Sequence, residues 1–131
     1  MNKTSLISIT IILLAIFGFV FILGFNADNT GNSVSAENSE IRNGVQYITI
    51  DAGGGYSPRL SSAKAGIPTK LIIKTNGVYD CSSALVIRSL NFQKILPQTG
   101  ETVIDVGTPQ AGVPLQGICG MGMYNFSVDF N

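Results

Sequence analysis

The residues best suited to chemistry in this chain form one short segment near its C-terminus, Cys119-Gly120-Met121-Gly122-Met123. One thiol and two thioethers stand at alternate positions, with glycine as the only spacer. Sulfur donors are soft ligands, and they select soft ions such as Cu(I) over Ca²⁺, Mg²⁺ or Mn²⁺. Because glycine adopts backbone angles that other residues avoid, the three sulfurs can turn toward one point. The segment therefore predicts a site for a soft metal ion.

The second cysteine, Cys81, lies in a polar stretch just before a predicted strand. Three interpretations of the cysteine pair stay open: a disulfide in an oxidising compartment, two separately buried thiols, or a thiolate pair that holds a soft metal. The methionines favour the metal. Of the 3 methionines, Met1 is the initiator, and Met121 and Met123 stand beside Cys119. A packed core strand would not separate its residues with glycine, which weakens strands.

The absence of histidine narrows the choice of metal. A blue copper site needs two histidines besides its cysteine and axial methionine, so the chain cannot form one, and a copper redox enzyme is disfavoured. Zinc takes Cys, His and carboxylate ligands rather than thioethers. Two thiolates and two thioethers fit Cu(I) and would hold it in the reduced state. The expected chemistry is ligand exchange without turnover, so the sequence does not predict an enzyme.

Composition limits the other functions that the chain could have. The 8 Lys and Arg residues balance 8 Asp and Glu residues, for a formal net charge of +0. No basic surface for nucleic acid is therefore indicated. The length of 131 residues suits one ordinary domain, and the composition of the N-terminal quarter differs from that of the rest of the chain.

The N-terminal residues 1–25 are predicted to be a membrane anchor. No charged residue occurs at positions 4–27, and the twenty residues 6–25 are nearly all apolar. A helix of that length spans about 30 Å, the thickness of a bilayer core. A cleaved signal peptide, whose apolar region is usually shorter, and a buried core helix are the alternatives. We expect a single-pass protein of the cell membrane; Lys3 favours a cytoplasmic N-terminus by about one charge, so the face of the following domain stays open.

The remaining residues are predicted to be a linker and one β domain. Residues 26–40 contain Asn, Ser, Gly and acidic residues without a hydrophobic period, as a flexible linker does. Within residues 41–131, strand-like runs occupy positions 45–51, 69–75, 84–87, 102–106, 114–118 and 125–130. Gly53-Gly54-Gly55 lacks the Gly-Lys-Ser/Thr of a phosphate loop and is predicted to be a turn. Short strands at this spacing predict a β-sandwich or barrel.

The sequence resembles the membrane-anchored, cupredoxin-fold copper(I) chaperones of the CupA type. The resemblance covers residues 45–130 and the N-terminal segment. It is carried by Cys81 before a strand, by Thr108-Pro109 followed by Gly112, and by Cys119-Gly120-Met121-Gly122-Met123 before the last strand. It implies an all-β fold, a cupredoxin-like Greek-key β-sandwich after one N-terminal transmembrane helix, with the metal ligands in loops at one end.

The resemblance also implies roles for single residues and a partner. By position, Cys81 and Cys119 would be a high-affinity thiolate pair, and Met121 and Met123 a weaker second site, for up to two Cu(I) ions. The family passes copper to a Cu(I)-exporting P-type ATPase through a similar metal-binding domain of the pump. The implied function is a membrane-tethered Cu(I) chaperone in copper homeostasis and copper resistance. The alternative is a disulfide-stabilised extracytoplasmic β-sandwich module that binds a protein partner without metal.

Overall fold

A computed structural model describes residues 2–24 and 38–131 of the chain. The chain divides into two compact units, Met1–Gly31 and Asn32–Asn131. Residues 26–37 of the predicted linker lie outside the described residues. The last two linker positions, Ser39 and Glu40, begin the first strand.

The first unit contains helix α1 (Lys3–Gly24). The helix is rich in Leu and Ile, contains no proline, and carries no charged residue after Lys3, so nothing within it interrupts the backbone hydrogen bonds. Its large apolar side chains between Ile7 and Ile16 are exposed. In the two described ranges of the chain, no helix combines the length and the apolarity that crossing a membrane requires.

The described part of the second unit contains ten strands in two sheets. In chain order the strands are β1 (Ser39–Arg42), β2 (Val45–Ala52), β3 (Tyr56–Ser57), β4 (Leu60–Ala63), β5 (Thr69–Thr75), β6 (Ala84–Ile87), β7 (Phe92–Ile95), β8 (Gly100–Gly107), β9 (Leu115–Cys119) and β10 (Asn125–Phe130). The first sheet has the order β1-β2-β5-β8, and β3 also pairs with β2. The second sheet has the order β4-β10-β9-β6-β7.

The two sheets share one hydrophobic core. Side chains alternate along the central strands, so that one face of each strand is buried, as in β5 and β10. The first sheet contributes Ile48, Ile50, Leu71, Ile73 and Ile104, and the second contributes Leu85, Ile87, Leu115, Phe126, Val128 and Phe130. Gln46 is buried beside this core, and its side-chain amide donates hydrogen bonds to the Lys64 carbonyl and to Thr69 Oγ1 at 3.0 Å each.

The predicted fold, an all-β, cupredoxin-like Greek-key β-sandwich after one transmembrane helix, is wrong. A Greek key consists of antiparallel strands joined largely by hairpins, whereas each sheet here is mixed. Strand β2 pairs with β5 in parallel, and β4 pairs with β10 in parallel. The N-terminal helix also does not qualify as a membrane span among the described residues. The sequence pattern predicted six of the ten described strands but not their partners, because residue alternation carries no information on which strands pair.

The connections at one end of the two sheets lie close together. The turn at residues 53–55 follows β2, and an added Cβ on Gly55 would lie 3.4 Å from the Tyr124 ring. Val78, before β6, is 3.4 Å from the corresponding position on Gly53. This end therefore brings together the predicted Gly53-Gly54-Gly55 turn, which is confirmed, the segment before β6 and the connection between β9 and β10.

Candidate metal centre

The two cysteines meet at this end of the sheets. Cys119 is the last residue of β9 and is 1% exposed. Cys81 begins a short 3₁₀ helix, Cys81–Ser83, that leads directly into β6. Strands β6 and β9 are antiparallel neighbours with Leu85 opposite Cys119. Their pairing leaves the cysteine Cα atoms 5.7 Å apart, and the two sulfurs form a disulfide.

Asp80 shapes the turn that carries Cys81. It is the N-cap of the 3₁₀ helix, and its Oδ1 accepts the Ser82 N–H at 2.7 Å. The same oxygen accepts a short hydrogen bond from Ser82 Oγ. The Asp80 carbonyl accepts the Ser83 N–H at 3.1 Å and Ser83 Oγ–H at 2.9 Å. Asp is among the best N-cap residues because its carboxylate satisfies amides that have no partner within the helix, and this fixes the backbone on both sides of Cys81.

Two contacts attach this turn to the opposite sheet. The Gly54 N–H donates to Asp80 Oδ2 at 2.6 Å, and the Tyr56 hydroxyl donates to the Ser82 carbonyl at 3.0 Å. The Ser82 hydroxyl, the Gly54 N–H and the Ser82 N–H lower the pKa of Asp80 from its ordinary value. Burial, helped by the negative charge of Asp80, raises the pKa of Tyr56 to about 12. Asp80 is therefore ionised, and Tyr56 is a neutral donor, at physiological pH.

Backbone hydrogen bonds of Cys119 hold the connection between β9 and β10, residues 120–124, in place. The Cys119 N–H donates to the Tyr124 carbonyl at 2.9 Å, and the Gly122 N–H donates to the Cys119 carbonyl at 2.8 Å. The Tyr124 N–H approaches Cys119 Sγ at 3.4 Å. Gly122 has φ +75°, a conformation that side chains rarely adopt. A hydrogen bond to this sulfur favours its charged, thiolate form once the disulfide is reduced.

The two predicted thioether ligands, Met121 and Met123, lie in this connection. Both are unusually exposed for apolar residues, with relative exposures of 79% and 65%. Methionine usually fills gaps in a core, so neither side chain is explained by packing. The structure thus joins Cys81 to Cys119 and leaves both thioethers at the surface within four residues of Cys119. The ligand roles of all four residues remain predictions.

Sulfur atoms are the candidate metal ligands at this end of the sheets. Across residues 2–24 and 38–131, no group of three or more His, Cys, Asp and Glu side chains could hold a metal ion. Two thiols with neighbouring thioethers suit a soft ion such as Cu(I).

The charges around the cysteines are mixed. The Asp80 carboxylate is on the exposed side of the Cys81 turn. On the other side, a depression of about 440 Å³ beside Gly120 is lined by the apolar Ala84, Val86 and Ile95 and by Lys94. A complex of two thiolates with one Cu(I) ion carries one negative charge, which a nearby lysine favours and a carboxylate disfavours.

Sequence reasoning missed the residues that hold the cysteines. Gly54 was predicted only as part of a turn, and no role in the site was predicted for Asp80 or Tyr56. The pattern Asp80-Cys81-Ser82-Ser83 contains a detectable signal, because an Asp followed by Ser residues is a common start of a short helix. The link to Gly54 has no signal in the sequence, since 26 residues separate the partners.

The chain shares its fold with copper-binding domains of known structure. It is similar to the Cu(I)-bound metal-binding domain of the Cu(I)-exporting P-type ATPase CopA of Streptococcus pneumoniae D39, with a TM-score of 0.62 and 26% identity; the match covers 71% of this chain and 92% of that one. It is also similar to a copper-binding protein in its apo form, solved in solution by NMR, with a TM-score of 0.63 and 25% identity over 74% of this chain and 100% of that one. Protein-family models and curated protein sequences give no match to the chain.

Proposed function

We propose that this chain is a Cu(I)-binding protein that sequesters copper on Cys81 and Cys119 and hands it to a copper exporter. The observation that carries the proposal is the meeting of these two cysteines beside two exposed methionines, on a fold shared with copper-binding domains. An all-sulfur donor set selects Cu(I) and disfavours Cu(II). The reaction is ligand exchange, so the protein is not proposed to be an enzyme.

Copper binding by the cysteines requires the reduced form of the protein. A disulfide has no thiolate to offer, and its reduction to two thiols takes up two electrons and two protons. Cu(I) then replaces the thiol protons, so binding releases protons and weakens as the pH falls. The Tyr124 N–H at Cys119 Sγ helps this step, because it stabilises the thiolate.

Met121 and Met123 are proposed as a second, weaker copper site. Their exposure makes them the first sulfurs that an incoming ion meets, and thioethers are neutral ligands that release Cu(I) more readily than thiolates do. Copper would pass from the thioethers to the more buried cysteine pair. Up to two ions per domain could bind in this way.

The proposed acceptor is a Cu(I)-exporting P-type ATPase or its metal-binding domain. The support is the likeness of this chain to such a domain in the pump CopA. Two domains with similar folds and similar sulfur ligands can exchange an ion at small cost, since each offers equivalent donors. Mixing the Cu(I)-loaded protein with an isolated metal-binding domain of a pump, and measuring the copper in each after separation, tests the transfer.

An anaerobic Cu(I) titration of the reduced chain against a chromogenic Cu(I) chelator tests copper binding, with thiols counted beforehand. We expect two free thiols, one tight equivalent of copper and a second, weaker equivalent. The Cys81→Ser/Cys119→Ser variant should lose the tight equivalent, and the Met121→Leu/Met123→Leu variant only the weaker one. Leucine keeps the size and apolarity of methionine without its sulfur, so that variant isolates the ligand.

A second candidate function follows from the disulfide itself. If the bridge is permanent, the chain is a disulfide-stabilised module that binds a protein partner without metal. This alternative, an extracytoplasmic module, predicts that the purified native protein has no titratable thiols, that it loses stability on reduction, and that the reduced chain does not compete with the chelator. Unchanged copper affinity in the double cysteine variant would likewise rule out the copper proposal.

A further inference from the structure

We propose that Asp80 is a positioning residue: its carboxylate holds Cys81 against Cys119 by fastening the Cys81–Ser83 helix to the turn at residues 53–55 of the other sheet. Neither the copper proposal nor the resemblance assigns a role to this residue. The inference deepens the proposed function, since the two thiols that it concerns are the proposed copper ligands.

The two oxygens of the carboxylate serve two different segments. Oδ1 accepts the Ser82 N–H at 2.7 Å, inside the turn that carries Cys81. Oδ2 accepts the Gly54 N–H at 2.6 Å, from the turn after β2. Hydrogen bonds to a charged acceptor are roughly twice as strong as neutral ones. One side chain therefore links the cysteine turn to the turn after β2 in the opposite sheet.

The link from Asp80 to Gly54 matters because the two cysteines are held in place by different elements of the structure. Cys119 ends a strand of the second sheet and is almost fully buried. Cys81 lies outside any strand, on a three-residue helix that is only partly buried. The partial charge at the N-terminus of so short a helix is small, so its position depends on its side-chain cap. Without Asp80, Cys81 would sample more positions, and its thiol would spend less time near Cys119.

The equilibrium of the cysteine pair with glutathione measures this proximity without any copper. In this reaction the protein dithiol and one oxidised glutathione give the protein disulfide and two reduced glutathiones, which receive the two thiol hydrogens. Its equilibrium constant reports the effective concentration of one thiol at the other. The full chain is compared as wild type, Asp80→Asn, Asp80→Ala and Asp105→Ala, after circular dichroism shows that each is folded.

The two Asp80 variants separate the link to Gly54 from the cap. Asparagine caps a helix as well as aspartate does, but it has one acceptor oxygen and cannot serve both Ser82 and Gly54. We expect the effective concentration to fall at least about threefold in Asp80→Asn and about tenfold or more in Asp80→Ala, the factor that loss of a hydrogen bond to a charged group gives. Asp105 is the matched control, because its carboxylate accepts the Gly107 N–H at 2.9 Å at the opposite end of the sheet; its substitution should change nothing.

The following results of the glutathione series would contradict the positioning role of Asp80. If Asp80→Asn equals wild type while Asp80→Ala falls, capping alone positions Cys81 and the link to Gly54 is irrelevant. If both Asp80 variants equal wild type, or if Asp105→Ala falls as far as Asp80→Ala, the carboxylate has no specific effect on the pair. Cu(I) titration of the same variants is the second readout. Should none of the proteins bind copper while the glutathione series holds, the proposed function fails and the positioning role of Asp80 stands.

Discussion

Tyr56 packs in the core with its ring and contacts the turn that carries Cys81 with its hydroxyl. Its ring contacts Phe126 edge to face, with centroids 5.2 Å apart and an interplanar angle of 72°. Its hydroxyl donates to the Ser82 carbonyl at 3.0 Å, and it lies near the negative charge of Asp80. Both its burial and that charge oppose its ionisation.

The raised pKa of Tyr56 predicts a loss of stability at high pH. In the folded protein the phenol keeps its proton up to a pKa of about 12, whereas in the unfolded chain it loses the proton at its ordinary pKa of 10.0. Between these values the folded state binds more protons, so the free energy of unfolding falls as the pH rises. Ultraviolet titration of the folded protein should show a tyrosine that ionises late, near pH 12, and Tyr56→Phe should remove that step. A late step that persisted in Tyr56→Phe, or no late step in the wild type, would show this account of Tyr56 to be wrong.

At the scale of elements, the antiparallel pair β9–β10 depends on one missing side chain. Gly117 lies opposite Phe126 in the register of the two strands. A Cβ on Gly117 would overlap the ring atoms Cε1 and Cζ of Phe126, which is itself only 1% exposed. The glycine thus makes room for the ring in the core, and it also keeps β9, and Cys119 at its end, close to β10.

Gly117→Ala should therefore destabilise the protein by about 1–3 kcal/mol, the usual cost of overpacking a core. Gly120→Ala, next to Cys119, is the matched control. An added Cβ there would be 3.5 Å from the Ala84 Cβ, which is an ordinary contact. Its free energy of unfolding should stay within about 0.5 kcal/mol of wild type. Urea denaturation measures both, and equal stability of the two variants would contradict the assigned role of Gly117.

At the scale of the whole molecule, the disulfide links two segments that are 38 residues apart in the chain. Closing a loop of that length removes conformations from the unfolded chain, which is worth about 4 kcal/mol in the chain-entropy model. Reduction should lower the free energy of unfolding by an amount of this order. Cu(I) bound between the same sulfurs would replace the covalent link by a coordinated one.

Anaerobic denaturation of the oxidised, reduced and copper-loaded reduced forms measures both effects. We expect the reduced form to be the least stable and Cu(I) to restore part of the loss, because a ligand that binds only the folded state stabilises it by mass action. The Cys81→Ser/Cys119→Ser variant is the control and should respond neither to reductant nor to Cu(I). A reduced wild type that gains no stability from Cu(I) would contradict copper binding at the cysteine pair.

Much of the strand content could be predicted from local pattern. The predicted runs 69–75, 84–87 and 125–130 coincide with β5, β6 and β10, because their alternating or continuous apolar residues are visible within a few positions. Four short strands were missed: β1, β3, β4 and β7. Most residues of β1 and β7 are exposed and show no alternation, and β3 and β4 are only 2 and 4 residues long. The parallel pairs were missed for a different reason, because they join segments whose partners lie far apart in sequence.

The sequence by itself determined the donor chemistry: two cysteines, two methionines spaced by glycine, and no histidine. Side-chain type is a local property, so soft-metal selectivity could be inferred before any fold was known. Only the tertiary structure decided that Cys81 meets Cys119, that Asp80 links the turn carrying Cys81 to Gly54, and that both sheets contain parallel and antiparallel pairs. The contact of Asp80 with Gly54 spans 26 residues and the cysteine pair spans 38, and the parallel pairs likewise join separate parts of the sequence. They arise from the burial of both sheets in one core, which no local pattern encodes.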